Sequence, residues 1–113
     1  MNQPTPDVTR ADVERIVRRE FPSNDFKTVV ALLDAYGTEE YERERDRVQL
    51  AVMKLANGSV DALAREMQIA KLDYRDVLSP AEYPTYRWGE KDEGKLREMY
   101  RADWQQYSDW LYK

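Results

Sequence analysis

Helical periodicity is the feature that most limits what this chain can become. From Val60 onward, Leu63, Met67, Ala70, Tyr74 and Val77 recur in alternating steps of three and four with no Gly or Pro between them. That spacing places all six side chains on one face of a 3.6-residue helix. No segment sustains a period of two with the branched and aromatic residues a strand prefers. The expected fold is therefore all-α, a single-domain bundle of about five helices.

Punctuation divides the chain. Thr9, with Asp12 three residues on, predicts a capped first helix bearing Val13, Ile16, Val17 and Phe21 on one face. Pro22 ends it. Ser23 or Asn24 caps a second helix lined by Phe26, Val29, Val30, Leu33 and Tyr36, and Gly37 stops it. A third helix is expected to open at Thr38. Its first half, Glu39 to Arg47, alternates in sign and pairs Glu39 with Arg43 and Glu42 with Arg45. Its second half, Val48 to Ala56, is apolar nearly all round and should be central. Asn57-Gly58 closes that helix, and Ser59 caps a fourth, read as continuous to Leu78. Ser79-Pro80 and the irregular Pro- and Gly-containing stretch Ala81 to Gly94 precede a last helix with a stripe of Leu96, Met99, Tyr100, Trp104, Tyr107 and Leu111. Residues 1–8, with Pro4 and Pro6, read as a flexible N-terminus to a helical domain over 9–113.

Chemistry is constrained as sharply as shape. The 113 residues contain no histidine and no cysteine, which removes disulfides, thiolate zinc sites, imidazole bases and Cys-His nucleophiles. No P-loop is present, and no serine lies in a G-x-S-x-G or S-x-x-K setting. Neither a catalytic residue nor a metal ligand set nor a cofactor site is expected, and the balance leans against an enzyme. The net charge of −4 is spread so evenly that the blocks 1–37, 38–58, 59–78 and 79–113 each carry −1. With no basic stripe, and with Arg10, Arg15, Arg18 and Arg19 set among Asp12, Glu14 and Glu20, a role as a nucleic-acid-associated regulator centred on Arg15, Arg18 and Arg19 is the weakest option. No apolar run approaches the roughly 20 residues needed to cross a bilayer, and a cytoplasmic location is expected.

Two constellations remain. Asp73, Tyr74, Arg75 and Asp76 fall within one helical turn, and on a continuous helix Glu66 would lie two turns from Asp73 on the same boundary. These residues define a small carboxylate-based metal-binding or enzymatic alternative that would take a hard cation; the competing reading is an ion pair that fixes helix register. The aromatics form the second. Eight of the 13 lie in residues 83–113, and because Trp, Tyr and Arg are enriched at binding hot spots, Trp88, Arg101, Trp110 and Tyr112 are the candidate partner surface. The stripe Tyr100, Trp104 and Tyr107 is expected to close the core.

The segments Arg47-Val48-Gln49-Leu50-Ala51, Lys54 to Gly58, Asp73 to Leu78 and Ala81-Glu82-Tyr83-Pro84 resemble a family of small uncharacterised bacterial proteins over roughly residues 10–84. The resemblance implies a bacterial, cytosolic, helical protein and brings no activity, cofactor or catalytic residue with it. The leading expectation is a non-enzymatic protein-interaction module, as a homodimer or with another protein.

Overall fold

A computed structural model describes residues 5–113; the first four residues of the expected flexible terminus lie outside them. The described residues form six α-helices and no strand: α1 (Arg10–Glu20), α2 (Phe26–Asp34), α3 (Arg45–Ala56), α4 (Val60–Leu72), α5 (Arg75–Glu82) and α6 (Glu93–Leu111). A short 3-10 turn, Ser23–Asp25, leads into α2.

The apolar run Val48 to Ala56 makes α3 the axis of the fold. It buries Val48, Gln49, Leu50, Ala51, Val52, Met53 and Ala56 and packs against α1, α4 and α5. Helix α1 contributes Val13, Ile16 and Val17 from a start closed by the Thr9–Asp12 capping box. Gln49 is the polar exception in this core and is fully satisfied. Its amide donates to the Leu33 carbonyl at 2.8 Å and its oxygen accepts from Arg10 at 3.1 Å, so burial costs it little.

Two of the expected boundaries move. The sign-alternating stretch that was read as the first half of the third helix is instead a loop, and α3 begins at Arg45. Glu42 explains the change. Its buried carboxylate accepts from the backbone N–H groups of Gly37, Thr38 and Glu39 at 3.1–3.2 Å and from Lys71 at 2.8 Å. With the Thr38 hydroxyl at 3.3 Å, five donors converge on one carboxylate, which they can do only if the backbone turns around it, so the Glu39–Arg43 and Glu42–Arg45 helical pairs do not form. Gly37 supplies the turn with φ +104, and a Cβ there would sit 2.4 Å from the Arg45 side chain.

The second change raises the helix count from about five to six. The continuous helix expected over Val60–Leu78 breaks at Asp73, which is extended at φ −158. Its carboxylate accepts from the Arg75 backbone N–H at 3.0 Å, a short side-chain turn that competes with the helix ladder. Helix α5 then runs through Ser79-Pro80, where a loop was expected. A proline inside a helix forfeits one backbone bond; burial of Val77, Leu78, Ala81 and Glu82 on either side of it holds α5 against α3.

Residues 83–92, with turns at 84–85 and 88–89, carry the chain into α6. Only the C-terminal half of α6 is held by the body, through buried Asp103, Tyr107 and Leu111. Its first half, Glu93 to Ala102, has no fully buried residue. The molecule is accordingly elongated, 47 × 30 × 23 Å with a radius of gyration of 14.4 Å, against about 13 Å for a compact domain of this length.

Candidate functional site

The polar constellation is opened out by the break at Asp73. Asp73 and Arg75 do meet: the carboxylate takes the guanidinium at 2.9 and 3.0 Å as well as the Arg75 N–H. Hydrogen bonding to Arg75 holds the Asp73 carboxyl below the usual range. Tyr74 packs against the core, Asp76 is exposed in the first turn of α5, and Glu66 lies half-buried on α4. The five residues thus form one local ion pair with neighbours that point elsewhere, and among the described residues no three acidic side chains are grouped to hold a metal. Asp73, Tyr74 and Arg75 do border a shallow cleft of about 220 Å³ with Tyr41, Glu42 and Leu72. The one buried carboxylate there, Glu42, is committed. Burial alone would raise it, but Lys71 and three backbone N–H groups outweigh that and hold it at about 2, leaving it no proton to exchange near neutrality.

The arginines of α1 are also engaged. Arg10 forks onto Asp34 at 2.7 and 3.2 Å, and Arg15 pairs with Asp12 at 3.3 Å. Arg19 lies over the Trp110 ring at 5.2 Å, a cation–π contact. Only Arg18 in this group stands exposed without an ion pair among the described residues.

Of the four residues assigned to an aromatic surface, Trp88 is 93% exposed. Arg101 is exposed and pairs with Glu98 one turn back at 2.8 Å, and Tyr112 is exposed at the end of α6. Trp110 is turned inward. Its indole N–H donates to Glu20 at 3.1 Å, and its ring lies 5.6 Å from that of Tyr107, so it fastens α6 to α1. The stripe divides as well. Tyr107 and Leu111 close the core as expected, whereas Trp104 is 37% exposed and Leu96, Met99 and Tyr100 are half-buried. Tyr100 stacks on Tyr86 at 5.9 Å, continuing the aromatic surface from α6 onto the 83–92 segment.

A buried polar cluster supports this surface from beneath, and the sequence reading missed it. Arg47 on α3 forks onto Glu82 at the end of α5, at 2.6 and 2.9 Å, and donates to the Tyr83 hydroxyl at 2.9 Å. Glu82 bonding raises the Arg47 pKa further, against burial. Next to it, Asp103 of α6 accepts from the Thr85 backbone N–H at 2.9 Å and hydroxyl at 2.6 Å, and Gln106 donates to the Ala81 carbonyl at 3.3 Å. These bonds set the angle at which α6 leaves the body. One signal for them was legible: Asp103 falls on the buried side of the stripe between Tyr100 and Tyr107. Arg47 and Glu82, 35 residues apart, carried none.

Beneath Tyr100 and Trp104 is a cavity of about 10 Å³, lined also by Pro6, Glu82, Tyr83 and Tyr107, with room for about one water. The Tyr107 hydroxyl is buried with no hydrogen-bond partner among the described residues, and burial, with Glu82 near, raises its pKa. No helix of the described residues is long and apolar enough to cross a membrane. No protein-family model, no curated protein and no solved structure matches this chain.

Proposed function

We propose that this protein is a non-enzymatic interaction module of the bacterial cytoplasm whose contact surface is the 83–92 segment together with the first half of α6. One observation carries the reading. The apolar stripe of α6 outruns the body it packs on, leaving Leu96, Met99, Tyr100 and Trp104 incompletely covered, and the segment that leads into α6 presents Trp88 almost wholly to solvent. Exposed aromatic side chains of this kind supply large contact areas at small entropic cost. The Arg47–Glu82–Tyr83 and Thr85–Asp103 bonds hold the platform in place before any partner arrives, which lowers the cost of association.

The carboxylate-based metal-binding or enzymatic alternative draws less support, since Asp73 is already paired with Arg75 and Glu66 is separated from Asp73 by the helix break. The nucleic-acid alternative draws less still, because three of the four α1 arginines are engaged within the chain.

Affinity capture from a source lysate tests the proposal with two proteins of equal melting temperature, the natural chain and the double variant Trp88→Ser/Met99→Asp. The reading expects at least one partner retained by the first and lost by the second, with sedimentation reporting whether that partner is a second copy. Identical profiles from both would contradict it.

A further inference from the structure

The cavity under α6 has an occupant of its own at one wall. Pro6, in the non-helical run that precedes α1, is buried there beside the rings of Tyr83, Tyr100, Trp104 and Tyr107. A proline among four aromatic side chains is the packing by which aromatic-lined grooves take proline-bearing segments, where ring faces meet the pyrrolidine and a phenol or indole donates to a nearby carbonyl. Here the second half of that recognition is missing: Tyr107 lines the cavity, and its buried hydroxyl has no acceptor among the described residues.

We propose that the groove formed by Tyr83, Tyr100, Trp104 and Tyr107 binds a proline-bearing extended segment of a partner protein, and that the chain's own Pro6 is an internal competitor for it. The proposal rests on the interaction-module reading and names the class of partner. The misfit of Pro6 has a physical origin. Thr9, three residues later, is fixed as the cap of α1 by its bonds to Asp12, so the segment cannot slide to bring a carbonyl to Tyr107. An untethered segment has no such restraint. It can displace Pro6, fill the one-water gap and accept from Tyr107, and satisfying a buried hydroxyl recovers the cost of leaving it unpaired.

The test is titration of the full chain with a capped decaproline peptide, following the Trp104 indole N–H by NMR. The natural chain should bind weakly. Pro6→Ala, which removes the competitor from outside every helix, should bind about tenfold tighter, since a tethered competitor acts at an effective concentration on the order of millimolar. Tyr107→Phe in the Pro6→Ala background keeps the ring and should lose about tenfold, the loss of one hydrogen bond. Trp104→Ala, at a partly exposed position, should abolish binding as judged by the Trp110 indole signal. Absence of binding to Pro6→Ala at millimolar peptide would overturn the proposal, as would equal affinity for the natural chain and Pro6→Ala. A shift to dimer in Pro6→Ala would also overturn it, assigning the groove to a second copy. Capture that depends on Trp88 and Met99 but not on Trp104 would reject the proline groove while leaving the interaction module standing.

Discussion

At the residue scale, buried charge decides the local structure. Glu42 holds the 35–44 loop closed because five donors converge on it, and its folded-state pKa of about 2 lies below the ordinary 4.5. A depressed carboxylate pKa means that the unfolded chain takes up the proton first. The stabilisation is therefore present above pH 4.5 and is lost as pH falls toward 2. Acid titration of the melting temperature should show this loss, and Glu42→Gln, less stable at pH 7, should flatten the profile across that window; an unchanged profile would show that the carboxylate is not held as described. The Arg47–Glu82 pair behaves differently, because breaking it strands a charge. Arg47→Ala should cost about 3–5 kcal/mol in denaturant unfolding, whereas the double replacement Arg47→Met/Glu82→Leu should recover much of that loss. None of these partnerships was legible in the sequence. Glu42 read as one member of a sign-alternating helix face, and nothing local distinguishes a carboxylate that will be wrapped by backbone from one that will be solvated.

At the scale of elements, the sequence was most informative where packing and periodicity agree. The all-helical class, the centrality of Val48 to Ala56 and the Ser59 cap follow from spacing and punctuation, and Ser59 does accept from the Ala62 N–H at 3.1 Å. Two of the errors, at Glu42 and at Asp73, share a cause: a side chain that bonds nearby backbone outcompetes the helix. At Asp73 the stripe of Tyr74 and Val77 continues the register of α4 across the break. Asp73→Ala should lower stability, because the side-chain turn onto the Arg75 N–H is lost, and should raise the amide exchange rate of Arg75 and Asp76. Slower exchange at those amides would mean that α4 and α5 had fused. Proline at 80 misled in the opposite sense, for burial on both sides of it sustains a helix that local propensity would have ended.

At the scale of the molecule, the arrangement separates a packed body from a platform. Helices α1 to α5 bury the core around α3, while α6 is fastened at its C-terminal half by Tyr107, Leu111 and the Trp110–Glu20 bond and extends beyond the body at its start. The candidate surface was half legible. Aromatic crowding after Tyr83 pointed to the part of the chain where Trp88 is exposed, but helical spacing alone placed Trp104 with Tyr107 in the core and gave no sign that Trp110 would turn toward α1. How far a stripe is covered depends on the length of the body it meets, which no local pattern encodes.

The most direct measurement of the central claim is photo-crosslinking in the source cells with a benzoylphenylalanine residue in place of Trp88, and with the same residue in place of Leu72, 89% exposed on α4, as the comparison. The account predicts a discrete adduct from position 88 that disappears when Met99→Asp is added, and none of matching mass from position 72. Equal labelling from both positions, or an adduct at 88 indifferent to Met99→Asp, would contradict it.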